Sequence, residues 1–459
     1  MLSYVRPNTG PFVALVAMCC CFATCAQAQT TTPSPAPPTV TPQSSNANVS
    51  ALSLDEALRM ANAVASDYQI AILNEKVAAE DIKQAQAAFL PKVSAPLSYI
   101  YTSPALGLPP GEPRAPSYIA NNAISEYEAL LNVSGDLDVA GKLRAELRKD
   151  RALLAAAHAG TEVARRALAQ AVIEAYYGLA LATAQRVAAE GNLAAAEEFE
   201  HITALLLSGG EVAPVDLTRA QLQTIARRDE IEKARVNEEV AAGSLRVLVG
   251  YDFMRPISTT DLALALPADN EYQQFKAEDV SKRPEFTRLE QQMRAAVQEI
   301  KIARADRLPS LTYSMNGGFD TDSLRGPQLK EHSGVSAALT LTVPIFDWGA
   351  TRSKERQAKL RVQVAENERS IAARGFTQEF FAARAQAANA LARITLAREG
   401  VAKAQDNLAA SIARYRAGEA QIVEVTDAQT TLVAQRAALY QALFDYQIAL
   451  EKLRRATGQ

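Results

Sequence analysis

The sequence predicts a mainly α-helical chain that also carries a small set of membrane-type β-strands. Three observations predict it. The chain repeats itself end to end. Four runs of about ten residues alternate apolar and polar side chains, the length a tilted strand needs to cross a bilayer. Two helical stretches, about 141–207 and about 350–416, run without a break signal far beyond the length of an ordinary globular helix.

The repeat comes first, because a tandem pattern decides the fold. Ile82-Lys83-x-Ala85-x-Ala87-x-x-Leu90-Pro91 recurs as Ile300-Lys301-x-Ala303-x-Ala305-x-x-Leu308-Pro309. Further on, Gly210-Glu211, Ala220-Gln221 and Leu245-Arg246-x-x-x-Gly250 recur as Gly418-Glu419, Ala428-Gln429 and Leu453-Arg454-x-x-x-Gly458, at one slightly smaller spacing. Each half then reads in the same order. An amphipathic helix (about 54–89, about 278–307) ends at Pro91 or Pro309, where proline removes a donor and clashes with the preceding turn. Two strand-like runs follow, then a long helix, a Gly-containing break and a shorter helix (about 214–250, about 421–457). At 1.5 Å per residue each long helix reaches roughly 100 Å. Helices of that length bury Ala and Leu faces against one another as coiled coils.

The alternation in the strands is regular. Val93, Ala95, Leu97, Tyr99 and Tyr101 share one face; Tyr127, Ala129, Leu131 and Val133 share another, opposite Glu126, Glu128 and Asn132. Leu311, Tyr313, Met315 and Phe319 oppose Ser310, Thr312, Ser314 and Asn316, and Val335, Ala337, Leu339, Leu341, Val343 and Ile345 oppose Ser336, Thr340 and Thr342. An ordinary sheet with one solvated face has the same pattern. A membrane sheet must close, because lipid cannot satisfy an open edge. Four strands cannot enclose water, so a membrane reading requires several chains in one barrel. Phe346 and Trp348, the single tryptophan, follow the fourth strand and suit an interfacial aromatic belt. The Pro/Gly-rich segment Pro104 to Asn122 and the segment Asp320 to Ser333 are the expected outer loops.

The N-terminus reads as an export signal over residues 1–28: Arg6, an apolar stretch from Pro11 to Ala23, and Ala26-Gln27-Ala28 as the cleavage site. All four cysteines, Cys19, Cys20, Cys21 and Cys25, precede that cut, which leaves the mature chain without a thiol. Acylation of Cys25 is the alternative at this end. Residues 29–50 form a Pro/Thr/Ser-rich tether. The first repeat occupies 51–250, a linker 251–279 and the second repeat 280–459. The 459 residues are 48% hydrophobic and 22% charged with a formal charge of −3, which excludes a basic nucleic-acid binder and a highly charged disordered chain. After the signal no uncharged apolar run is long enough for a transmembrane helix.

With these residues in hand, the chain resembles the TolC-like outer-membrane efflux proteins from about Leu52 to Gly458. Pro344-Ile345-Phe346-Asp347-Trp348-Gly349 resembles the family's strand-to-helix junction, and Leu137-Asp138-Val139-Ala140-Gly141-Lys142-Leu143-Arg144 its counterpart in the first half. Leu52-Ser53-Leu54-Asp55-Glu56-Ala57-Leu58 resembles the opening helix. Tyr415-x-x-Gly418 followed by Val423-x-Val425-x-Asp427-Ala428-Gln429 resembles the periplasmic tip. The resemblance implies a homotrimer in the outer membrane, three chains of four strands making a 12-stranded barrel that continues into a long periplasmic α-helical barrel. It implies passive transport without a cofactor, driven by an inner-membrane pump that a periplasmic adaptor links to the tip. A mixed α/β belt from the N-terminal segment, Tyr251 to Asp279 and the C-terminus is expected around the helices.

The resemblance also places the functional residues. The breaks Ser208 to Pro214 and Ala417 to Gln421 become the tip turns, with Gly209, Gly210, Gly418 and Glu419 the adaptor-docking positions. Asp216, Tyr415, Glu424 and Asp427 match the gate. Copies of Glu424 and Asp427, on adjacent turns of one helix face, would ring the pore with carboxylates that favour cations; a solvated first helical turn uses acids too. Tyr415 is expected to hydrogen-bond Asp216, a contact of roughly 1 kcal/mol. The family's type member carries an arginine two residues after the tip glycine, where this chain has Ala420, so that charged contact is expected to be missing. Gly141, Pro344, Asp347 and Gly349 are expected at the strand–helix junctions.

Enzymatic signatures are not found. His158, His201 and His332 have no metal-ligand neighbours in sequence, and no phosphate loop or nucleophile elbow occurs. Gly317-Gly318 and Gly209-Gly210 read as strand or turn glycines, and the Arg165-Arg166 and Arg227-Arg228 pairs are too scattered for a nucleic-acid stripe. The leading expectation is an exit duct for small-molecule efflux. The same fold also serves type I protein secretion, and a periplasmic coiled-coil adaptor or structural protein is the reading from a different class.

Overall fold

The computed structural model describes residues 51–105, 111, 114, 124–259 and 271–459. The signal, the tether, Cys25 and most of the segment 104–122 lie outside the described residues. Two halves follow one plan. In the first, α1 (Leu54–Ala61) and α2 (Asp67–Ala87) lead into β1 (Lys92–Ser94), β2 (Leu97–Tyr101) and β3 (Ser125–Leu137), then into α3 (Lys142–Ser208) and α4 (Pro214–Val249). In the second, 3-10 turns at Glu271–Gln274 and Ala277–Lys282 precede α5 (Pro284–Ala305), then β4 (Ser310–Thr321), α6 (Gly326–Glu331), β5 (Ser333–Thr342), α7 (Ala350–Arg416) and α8 (Ile422–Ala456).

Local chemistry sets these boundaries. The long helices, 67 residues each, begin after Gly141 and Gly349. Pro214 occupies the first turn of α4, where its missing N–H costs nothing. Gly250 and Gly458 end α4 and α8 in the left-handed conformation (φ 72° and 73°), each followed by an amide that reaches back to the carbonyl of Arg246 or Arg454. The repeat is therefore visible in hydrogen bonds as well as in letters.

The opening helix departs from the expectation of one segment over about 54–89. It breaks between Ala61 and Asp67, and Ser66 starts a second helix. The break is tertiary in origin: Val64 rests on Gly250, where an added Cβ would sit 2.6 Å from the valine methyl. In the second half Pro284 starts α5, with a separate 3-10 turn before it. The first strand is also interrupted, because Pro96 has no N–H to give the ladder; its carbonyl still accepts from the Leu130 amide (3.2 Å). The fourth strand stops at Thr342, so Val343 and Ile345 lie beyond it, and the 320–333 segment contains the short helix α6.

The sheet is antiparallel, in the order β1/β2–β3–β4–β5, and open at both ends. Register aligns like with like. Val133, Met315 and Ala337 form one cross-strand row, and Leu137, Leu311 and Leu341 another. The alternate rows are polar: Asn132–Asn316–Ser336, Ser134–Ser314 and Asp136–Thr312–Thr340. A one-residue slip would exchange these faces. Every residue of the edge strand β5 is exposed within the chain.

Below the sheet the helices continue the strands in the same lateral order, α2 on α3, α3 on α5 and α5 on α7, while α4 and α8 pair back on α3 and α7. One 18-residue stretch of α3 reaches a mean hydropathy of 1.2. The apolar residues Val172, Tyr176 and Leu179 of α3 pack on Ala57, Ala61, Leu245 and Val249. A second cluster joins Phe380, Ala387 and Ile394 of α7 to Tyr446, Leu450 and Leu453 of α8, with Phe275 and Val280 from the segment before α5. Around this level the N-terminal Leu52 bridges to Thr259, and the Tyr176 hydroxyl donates to the Leu52 carbonyl (3.0 Å).

Candidate functional site

Two regions gather the residues singled out by sequence. The first is where strands become helices. Gly141 and Gly349 take the left-handed conformation (φ 74° and 83°) that a side chain disfavours. This lets an aspartate three or two residues earlier fold over the helix end. Asp138 accepts from the amides of Leu143 (3.0 Å) and Arg144 (3.1 Å). Asp347 accepts from the amides of Gly349 (3.0 Å) and Thr351 (2.8 Å) and from the Thr351 hydroxyl. Both satisfy donors that a helix start leaves unpaired. The Thr351 hydroxyl and these amides hold the Asp347 carboxyl below its usual range. Asp138 was visible in sequence only as part of a motif; a capping acid ahead of glycine is the signal that identifies it.

Trp348 is the only non-glycine residue with positive φ (55°) among the described residues. Such a backbone costs roughly 1–2 kcal/mol and turns the indole outward, where it is 90% exposed. Its ring meets Phe346 edge-on at 4.7 Å, and Ile345, Phe346 and Trp348 form an exposed apolar run just beyond the end of β5.

The second region is the far end of the helical hairpins. The two tip turns are built alike. Gly210 and Gly418 are left-handed (φ 73° in both). Gly210 and Glu211 amides donate to Leu207 and Leu206 carbonyls, and Gly418 and Glu419 amides donate to Tyr415 and Arg414 carbonyls. This pairing closes a helix and frees the chain to reverse. Gly209, Gly210, Gly418 and Glu419 are all exposed.

Tyr415 does not sit as expected. Its ring is buried in an apolar cluster with Phe199, Ala220, Ile422 and Val425, tilted against Phe199 at 5.3 Å. Among the described residues its hydroxyl has no hydrogen-bond partner, so the expected bond to Asp216 is not formed there. Asp216 instead faces Arg219 one turn along its own helix (3.8 Å). Burial pushes the Tyr415 hydroxyl above its usual value, Thr203 opposes the shift, and the Asp216 carboxylate adds to it.

Glu424 and Asp427 are exposed on one face of the first turns of α8. They differ in one respect. Arg414, in the last turn of α7, places Nη1 2.9 Å from the Glu424 carboxylate and donates from Nη2 to the Glu419 carbonyl (3.4 Å). Asp427 has no ion pair among the described residues. Arg414 was missed by sequence reasoning, which looked for a cation after Gly418. The available signal was Arg414-Tyr415-Arg416, cations in the last turn of a helix whose carbonyl end attracts them. Elsewhere, His158 bonds Glu75 (2.9 Å), and among the described residues no cluster of metal-ligating side chains occurs.

Comparison with known proteins places this architecture. The family model described as outer membrane efflux protein matches residues 57–251 and 279–459. The chain is 25% identical over 270 residues to the outer membrane efflux protein BepC of Brucella suis, covering 59% of this chain and 58% of that relative's length. It is 24% identical to nodulation protein T of Rhizobium leguminosarum bv. trifolii, covering 83% of this chain and 80% of the relative. A solved structure of CusC, the name borne by a cation efflux system protein of Escherichia coli, superposes with a TM-score of 0.78 at 21% identity, covering 88% of this chain and 92% of that one. With the family model spanning both halves and both tip turns, the chain belongs to the outer membrane efflux protein family.

Proposed function

We propose that the chain is one protomer of a homotrimeric outer-membrane exit duct for small molecules, fed by an inner-membrane pump through a periplasmic adaptor that docks on the tip turns. One observation carries this reading. The sheet of β1 to β5, in which β1 and β2 together make one interrupted edge strand, has one apolar face and one polar face, and both its edges are unpaired among the described residues. A sheet of this kind is stable in a bilayer only when neighbouring copies pair its edges. Purification of the exported chain from outer-membrane fractions as an SDS-resistant trimer that conducts ions in planar bilayers supports the reading. A soluble periplasmic monomer overturns it.

Charge at the tip gives a finer expectation. The Arg414–Glu424 pair is exposed, worth roughly 0–1 kcal/mol to stability, but it offsets the Glu424 charge locally. Asp427 then supplies the free carboxylates of the ring. Asp427→Asn is expected to weaken block of the trimer's conductance by a trivalent cation on the order of tenfold. Glu424→Gln is expected to weaken it several-fold less, and Arg414→Gln to tighten it by releasing Glu424. Equal effects of the two acid substitutions would remove the distinction between them.

A further inference from the structure

We propose that the groove between the start of α3 and the end of α5 is a binding site for the phosphodiester headgroup of an anionic phospholipid in the periplasmic leaflet of the outer membrane. The orientation rests on the duct reading above; the site itself rests on its lining. The groove is an open hollow of about 370 Å³. Its charged lining is Arg144, Arg148, Lys301 and Arg304, with no carboxylate among its walls. Arg144 is held by Asp138 (2.7 Å) and Arg304 by Glu355 (2.9 Å), which fixes two of the walls. Arg148 and Lys301 have no ion pair among the described residues. Two unpaired cations converge on one concavity without a protein anion to meet them.

Position identifies the anion as a lipid. Lys142 and Glu146 of α3 line a separate groove together with Asp136, Ser310 and Thr342 of the polar rows, and Arg144 and Arg148, each two residues further along, lie on the opposite side of the helix. Val139 and Leu308 line the groove and remain 63% and 49% exposed. The groove therefore opens on the side where the sheet meets hydrocarbon. Arg144 and Arg148 lie about one and two helical turns beyond Gly141, roughly 5 and 10 Å from it along the helix axis, and side chains on a helix lean back toward its N-terminus, here toward the sheet. A headgroup layer is roughly 5–8 Å thick on each side of the hydrocarbon core. Gly349, the counterpart of Gly141, follows Trp348, so the outward aromatics stand at the level just above these cations. Long basic side chains with apolar stems suit that boundary. α3 and α5 are also the inner members of the lateral order α2–α3–α5–α7. Neighbouring protomers that pair the sheet edges meet α2 and α7, and leave the groove open.

The test uses the detergent-solubilised trimer and native mass spectrometry with palmitoyl-oleoyl phosphatidylglycerol or phosphatidylcholine. Each unpaired cation near an anionic lipid surface contributes about fivefold, so wild type is expected to retain phosphatidylglycerol about twentyfold better or more at low salt, less as salt rises. R148Q/K301Q is expected to lose most of that preference, and R148K/K301R to keep it. Equal retention of both lipids by wild type overturns the site, as does an unchanged preference in R148Q/K301Q. Displacement of the lipid by millimolar inorganic phosphate, or stronger retention of a soluble muropeptide, overturns its assignment to lipid. An R148Q/K301Q trimer that still resists SDS and conducts as wild type leaves the duct reading standing whichever way lipid binding falls.

Discussion

Leu339→Arg is expected to abolish accumulation of the SDS-resistant trimer, while Thr340→Arg, one residue away, leaves the trimer in place and changes the ion selectivity of its conductance. The two side chains sit on opposite faces of β5. Leu339 is opposite Tyr313, whose ring lies over Gly135; a Cβ there would come within 2.6 Å of the tyrosine hydroxyl. That row is continuous with the other apolar rows and faces lipid in the duct reading. An arginine near the middle of such a face costs about 2–4 kcal/mol per chain, hence roughly three times that in a trimer, as much as the whole net stability of an ordinary domain. Thr340 is opposite Thr312, and Thr312 is opposite Asp136, in the polar row. An arginine there enters the lumen beside a carboxylate, where it is hydrated and alters the field that permeating ions meet. Trimer yield from outer-membrane fractions and reversal potentials in asymmetric salt measure the two outcomes. Equal tolerance of both substitutions, or loss of the trimer only with Thr340→Arg, would mean that the faces are assigned the wrong way round.

What the sequence made legible is what short-range rules govern. A period of two exposed the four strand runs and their faces, and the register then joined those faces into rows. Glycines at the left-handed ends of the long helices marked the tip turns and the strand–helix junctions, because few other residues take that backbone without cost. The features that escaped depend on residues far apart in the chain. The break between α1 and α2 carries no Gly or Pro and is imposed by Val64 lying on Gly250. Tyr415 was assigned a polar partner, yet its position inside the Phe199–Ile422 cluster is decided by three other helices. The basic groove needed two segments about 150 residues apart in the chain; its cations were visible as composition near residues 142–151 and 301–307, but nothing local says that they converge. Family resemblance assigned gate positions to the tip, and it directed attention to Ala420 and away from Arg414.

The second large effect is expected at Arg283, which neither periodicity nor resemblance singled out. The guanidinium is 1% exposed, at the joint between the linker and α5. It bonds Glu285 from Nη2 (2.8 Å) and Glu379 of α7 from Nη1 (2.6 Å), and it lies over the Phe376 ring at 4.0 Å. Arg283→Ala removes the partner of Glu285, which is itself buried. Stranding a buried charge costs about 3–5 kcal/mol. The pH dependence follows from the same contacts. Burial raises the Glu285 carboxyl, but the Arg283 hydrogen bonds more than offset it, and the folded value lies below the usual 4.5. A depressed folded pKa contributes stability that is present above the unfolded value and lost as pH falls through the folded one. Without Arg283 burial prevails, the carboxyl shifts upward, and the helices should begin to melt at a higher pH than in wild type. Arg283→Met/Glu285→Leu removes both charges together and is expected to recover much of the loss, since a buried pair replaced by apolar groups is often nearly neutral. Thermal melts of the detergent-solubilised protein followed by circular dichroism, across a pH series, test this. If Arg283→Ala melts with wild type, or the double substitution is no better than Arg283→Ala alone, the joint is held by the surrounding Phe275–Phe380 packing and not by the ion pair.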